Sequence, residues 1–208
     1  MLELQWLLES NLASWANRRL PVHSRAVDAI DRRITRNQSM VLFGAMNGRM
    51  YGDNSRYVYE WILKNRDDLH PIWITLDQDV KSQLEAEGKP VRMATSIGGL
   101  KALFEAGAAM ITNTFSDIAL HPIFVPPSLP LIHLTHGVPV KQGAENKQQH
   151  ADFEAAYKQK RSRLTKARIH TAEFLMDEPD SEVNRITGYP RNDTLLDPAE
   201  DAKQRWQD

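Results

Sequence analysis

His136 is followed by Gly137, Val138, Pro139 and, at the end of the same segment, Lys141. An imidazole titrates near ~6.5, so it can take up a proton at neutral pH. The glycine beside it removes a side chain from the path of an approaching substrate. The alternative for His136 is a structural histidine bonded to loop backbone. Lys141, Arg49 and Arg191 can each neutralise an anionic group such as a phosphate, or can simply be solvated or ion-paired. Asn113 can hydrogen-bond a hydroxyl or close a turn. Asp53 reads first as a helix N-cap, and Arg191-Asn192-Asp193 as the start of a closing helix. Gly48 and Gly52 bracket a loop ahead of Asp53 that offers backbone N–H groups at a helix N-terminus, a natural anion site. It is neither a G-x-G-x-x-G nor a Walker loop, so it carries no nucleotide fingerprint.

Such side chains act only if something holds them, and the apolar pattern says what does. Met40–Phe43, Ile72–Thr75, Val91–Met93, Ala109–Thr112, Leu131–Thr135 and Arg168–His170 read as short strands. Between them, Asn54–Lys64, Gln78–Glu87 (closed by Gly88), Ile97–Ala106 (closed by Gly107) and Lys147–Lys166 read as helices. Thr171–Met176 reads as a helical turn, and Asp197 onward as helix. Strands alternating with helices imply an α/β fold: a Rossmann-like parallel sheet with helices on both faces. Pro122–Pro130 reads as a surface loop. Ligands of open α/β sheets bind beyond the carboxyl ends of the strands. The loops after Phe43, Thr112 and Thr135 are therefore the places to look. His133, on the strand itself, is expected to be packed.

Composition narrows the function classes. The 208 residues include 26 Lys and Arg against 27 Asp and Glu, which gives no electrostatic case for nucleic acid as a partner. With no cysteine there is no disulfide, thiolate metal site or cysteine nucleophile. No His/Asp/Glu group has convincing metal spacing, and no cofactor is expected. No apolar run approaches the roughly 20 residues of a membrane span, and Glu3, Gln5 and Glu9 break any signal-peptide core. The expected location is cytoplasmic, with peripheral membrane contact as an option. Residues 1–36 read as a helical segment in which Leu4, Leu7, Leu8, Leu12 and Trp15 precede several arginines, a pattern that suits an anionic membrane surface or ordinary packing. Lys158, Lys160, Arg161, Arg163, Lys166 and Arg168 read as a solvated helix face, or as a dock for an anionic polymer or lipid headgroup.

Four segments stand in order at strand ends: Gly48-Arg49-Met50-Tyr51-Gly52-Asp53-Asn54, Ile111-Thr112-Asn113-Thr114, Thr135-His136-Gly137-Val138-Pro139-Val140-Lys141, and Gly188-Tyr189-Pro190-Arg191-Asn192-Asp193. Together they resemble the CDP-glycerol glycerophosphotransferase family, the teichoic-acid primases and polymerases. That family carries segments of the form G-K/R-x-Y-x-D-N-P, I-T-N-S, W-H-G-T-P-L-K and G-Y-P-R-N-D. The resemblance covers about Met40 to Leu196. Ser55, Thr135, Val138 and Val140 depart from the family pattern.

The resemblance implies a GT-B-type architecture with two Rossmann-like halves. Residues 37–196 would be the acceptor-side half, residues 197–208 would begin an interdomain or closing helix, and the donor-binding C-terminal half would be absent or separately encoded. It also implies that a hydroxyl of a polyol-phosphate or glycolipid acceptor in the cell envelope attacks CDP-glycerol or a related CDP-polyol, releasing CMP. His136 would be catalytic. Arg49, Asp53, Asn113, Gly137, Lys141, Arg191 and Asp193 would bind substrate. A GT-B glycosyltransferase or sugar-nucleotide enzyme, and a non-catalytic acceptor- or partner-binding domain, are the competing readings.

Overall fold

The computed structural model describes residues 20–135, 151–170 and 182–195. His136, Gly137 and Lys141, the first part of the N-terminal segment, Thr171–Met176 and the stretch from Asp197 lie outside the described residues. The described elements are α1 (Arg25–Asp31), β1 (Asn37–Phe43), α2 (Asp53–Asn65), β2 (His70–Thr75), α3 (Gln78–Ala86), β3 (Val91–Met93), α4 (Ile97–Glu105), β4 (Ala106–Ile111), β5 (Leu131–His133), α5 (Ala151–Leu164), β6 (Thr165–His170) and β7 (Asn184–Ile186). Short 3-10 turns follow β1, β4 and β7.

The strands form one seven-stranded sheet in the order β3-β2-β1-β4-β5-β6-β7. Every neighbouring pair is parallel. This is the arrangement that strand–helix alternation implies, and the period of two explains how each strand serves both faces. Val41, Phe43 and Trp73 pack on one side with Tyr59 and Ile62 of α2 and Leu84 of α3. Leu42 and Ile74 pack on the other with Leu103 of α4, Leu131 and Leu164. On the first side Tyr51, Tyr59 and Trp73 meet edge-on, with ring centroids 4.8–6.0 Å apart.

Helix ends follow their capping residues. Asp77 accepts from the N–H groups of Asp79 and Val80 at the start of α3, and Ser96 accepts from Gly99 N–H at the start of α4. Gly88 closes the turn after α3 with φ +70°, as its position suggests.

Four local expectations fail for physical reasons. Asp53 is not the N-cap of α2: Gly52 holds that place, and Asp53 is already helical residue one, with φ +57°. Gly107 is not a C-cap, because α4 runs directly into β4. Gly107 lies inside that strand, where a Cβ would stand 2.7 Å from Gln38 Cα. Pro122–Pro130 is not a surface loop, since it sends Val125 and Leu129 fully into the core.

Lys160 is not on a solvated face. It is 3% exposed, and its Nζ donates to the carbonyls of Val22 (3.1 Å) and Pro122 (2.8 Å). Burial pulls its pKa down from 10.5 to about 8, against the opposing pull of Asp28 and Asp31. A lysine with a lowered folded pKa binds fewer protons folded than unfolded between those two values, so stability rises as pH climbs through that window. Between about pH 7.5 and about pH 9.5, below the range where unfolded tyrosines ionise, the urea midpoint should rise more in the wild-type chain than in Lys160→Met. Parallel pH profiles for the two chains would contradict this.

Candidate functional site

In the order β3-β2-β1-β4-β5 the direction of winding reverses between β1 and β4, the place where open α/β sheets bind their ligands. The β1 exit turns at once. Met46 (φ +48°) and Asn47 (φ +58°) both take left-handed backbone, unusual for non-glycine residues. Gly48 follows at φ +74°, and its carbonyl accepts from Thr75 Oγ1 (2.8 Å) and Leu76 N–H (2.7 Å). Gly44 passes so close to the β4 exit that a Cβ would lie 1.9 Å from the Asp117 carbonyl oxygen.

Asp117 ties the two exits together. Its Oδ1 accepts from Asn47 N–H (2.7 Å), and its Oδ2 accepts from the N–H groups of Thr112 (3.0 Å) and Asn113 (2.8 Å). The side chain is fully buried. Burial pushes its pKa up, while the backbone donors from Asn113, Asn47, Thr112 and Thr114 pull the other way. Asn47 Oδ1 in turn accepts from Thr114 Oγ1 at 3.0 Å. Asn113, one of the residues singled out from sequence, is half-buried at this junction with its Nδ2 3.5 Å from Asn47 Oδ1.

A second cluster joins α2, the β5 exit and the turn after β7. Asn54, fully buried, donates from Nδ2 to the carbonyls of Thr135 (2.8 Å) and Leu134 (3.4 Å) and accepts at Oδ1 from Arg191 N–H (3.2 Å). Arg191 Nη1 donates to Asp53 Oδ1 at 2.9 Å, and its guanidinium lies over the Tyr189 ring. Asp53 and Arg191, both expected to bind substrate, thus pair with each other. Thr135, immediately before His136, has φ +50° and donates from Oγ1 to the Ile169 carbonyl (2.8 Å). The strand stops at His133 rather than reaching Thr135.

Arg49 is exposed at the end of the β1 turn, and Asp193 is exposed in the Pro190–Leu195 turn. His133 is packed, as expected: burial and the neighbouring charges of Arg161 and Arg168 take its pKa down to about 4, so it is neutral at physiological pH. Asn47, Asn54 and Asp117 were not singled out from sequence. For Asn47 the available signal was the Asn47-Gly48 dipeptide, a left-handed turn pair, and for Asn54 its place in the Asp53-Asn54 pair of the first motif segment. Among the described residues no group of three or more His, Asp or Glu could hold a metal, and no helix is long and apolar enough to cross a membrane.

A family model described as CDP-Glycerol:Poly(glycerophosphate) glycerophosphotransferase matches residues 27–208. No curated protein matches the sequence. Among solved structures, the wall teichoic acid polymerase TagF superposes with a TM-score of 0.61 at 18% identity, covering 85% of this chain and 44% of TagF. A TagF variant soaked with CDPG for 15 minutes gives a TM-score of 0.66 at 17% identity, covering 98% and 52%. At such identities the likeness speaks for the fold. The chain spans about half the length of these solved relatives.

Proposed function

This chain belongs to the CDP-glycerol:poly(glycerophosphate) glycerophosphotransferase family, an enzyme family, and on that premise we propose that it is the acceptor-side half of a GT-B-type glycerophosphotransferase. Residues 37–196 form that half. The nucleotide end of the donor is held by a second half, in the same polypeptide or separately encoded. The observation that carries the reading is the convergence, at the carboxyl edge of the sheet, of the Asp53–Asn54 helix start, the Thr135 strand exit and the Tyr189–Arg191 turn.

In this reading an acceptor hydroxyl attacks the β-phosphorus of CDP-glycerol or a related CDP-polyol. A new P–O bond forms, the bond from that phosphorus to the bridging oxygen breaks, and CMP leaves with the electron pair. His136 takes the hydroxyl proton. Lys141, Arg49 and Arg191 offer positive charge to the phosphates, Gly137 leaves room for them, and Asp53 holds Arg191 in place. Asn113 meets the acceptor hydroxyl and Asp193 faces the cleft toward the donor half. The acceptor is a polyol-phosphate or glycolipid of the cell envelope, reached from the cytoplasmic membrane face, with residues 1–36 contributing contact to anionic lipid.

The test is CMP release from CDP-glycerol with a glycerol-phosphate-ended acceptor, using this chain with and without a donor-side half. His136→Ala should lower turnover by about 10²–10⁴-fold, the range that a lost general base commands, with the circular dichroism spectrum unchanged. Turnover at the wild-type rate in that variant would remove His136 from the chemistry. A second reading, a non-catalytic acceptor-binding domain, draws on the half-length match; acceptor binding without CMP release in any combination would favour it.

A further inference from the structure

Asn54 lies one residue into α2, yet its side chain is fully buried and the side chain's three hydrogen bonds all go to other segments. The two carbonyls at one end can only accept, and the Arg191 N–H at the other can only donate, so the amide has one workable orientation. The Thr135 carbonyl it holds belongs to the peptide bond whose nitrogen is that of His136. Thr135 is β-branched and sits at φ +50°, a conformation that persists only where the surroundings fix it. Two contacts do so from opposite sides: Asn54 on the carbonyl, and the Ile169 carbonyl on the Thr135 hydroxyl.

We propose that Asn54 is a positioning residue for the transfer reaction: through the Thr135 carbonyl it sets the peptide that leads into His136, and through Arg191 N–H it locks that peptide to the turn after β7. The inference rests on the reading of His136 as the base. A base must meet its proton within hydrogen-bond reach, and misplacement by about 1 Å can cost on the order of a hundredfold in rate. One amide thus grips both the Thr135 carbonyl and the Arg191 N–H.

Two variants separate positioning from mere stability. Asn54→Asp keeps the volume but aims an oxygen at the Thr135 carbonyl, and Asn54→Ala removes all three bonds should the carboxylate prevent folding. Both are read on the folded chain, at a temperature below unfolding. In the CMP-release assay kcat should fall about tenfold to a hundredfold while KM for CDP-glycerol stays within about twofold. In spectra of histidine-labelled chain, which need no turnover, the ring signal assigned to His136 through His136→Ala should move. The signals of His70 and His121 should stay.

Folded variants with wild-type kcat and an unmoved His136 signal would overturn the proposal, as would a rise in KM at constant kcat. If His136→Ala itself retains turnover, the reading of His136 as base fails instead. The spectra then still decide whether Asn54 sets the His136 peptide.

Discussion

Gly44→Ala is expected to cost about 3 kcal/mol or more of the stability of the fold. The added methyl carbon would stand 1.9 Å from the Asp117 carbonyl oxygen and 2.6 Å from its carbon. Both are backbone atoms, and the Asp117 carboxylate pins the same segment to Asn47, Thr112 and Asn113. Ordinary overpacking costs about 1–3 kcal/mol because side chains can yield. Here the obstacle is main chain on a buried loop, so the cost should be about 3 kcal/mol or more, against a total that is ordinarily about 5–15 kcal/mol. Urea unfolding followed by circular dichroism measures it. Gly98→Ala in α4 is the control, since its Cβ would meet nothing nearer than Arg92 Cδ at 3.5 Å. It should be neutral or gain up to about 1 kcal/mol from helix propensity. A Gly44→Ala chain within about 0.5 kcal/mol of wild type would show that the two strand exits do not approach as described.

Removing the Asp117 carboxylate should have the second large effect on stability. Asp117→Ala leaves the N–H groups of Asn47, Thr112 and Asn113 without their acceptor in a buried place. At about 1–3 kcal/mol for each unsatisfied group, the loss should be about 3 kcal/mol or more. Asp117→Asn is the sharper test because it keeps the shape. One amide oxygen can still serve Thr112 and Asn113, but the amide nitrogen then faces the Asn47 N–H, donor against donor. A loss of about 2 kcal/mol or more is expected in urea unfolding. Asp117→Asn with an unchanged midpoint would mean that the carboxylate does not organise the β1 and β4 exits.

The layers of this fold were legible because they are written in periodicity. Val41, Leu42 and Phe43 form an apolar run that fills both faces of a central strand, and Gly88 marks a helix end by its own backbone preference. The failures share a cause. Gly107 looked like a helix stop because glycine often is one, while its reason for being glycine is the β1 backbone passing 2.7 Å from where a Cβ would be. Lys160 looked solvated because its bonding partners, the carbonyls of Val22 and Pro122, lie far off in the sequence. Asn54 and Asp117 were invisible as anchors for the same reason, because what they hold is backbone on distant loops. The motif segments pointed to the right edge of the sheet, and the hydrogen bonds among them depend on three-dimensional proximity that no spacing encodes.

The strand order also sets a schedule for synthesis. β1 pairs on one side with β2, which follows soon after, and on the other with β4, where Val41 meets Ala108. Until β4 has been made, the β1 edge bearing Val41, Leu42 and Phe43 has its peptide groups unpaired, and the small sheet of β1, β2 and β3 lacks its other side. Parallel pairing across such separations is slow, and an open apolar edge invites pairing with the wrong chain. β5, β6 and β7 follow β4 in the chain and lie successively outward of it in the sheet. Among the described residues the finished sheet then ends in β3, with exposed Arg92, and β7, with exposed Arg185. The mature edges carry charge against intermolecular pairing, so the vulnerable moment for this chain falls on the nascent polypeptide.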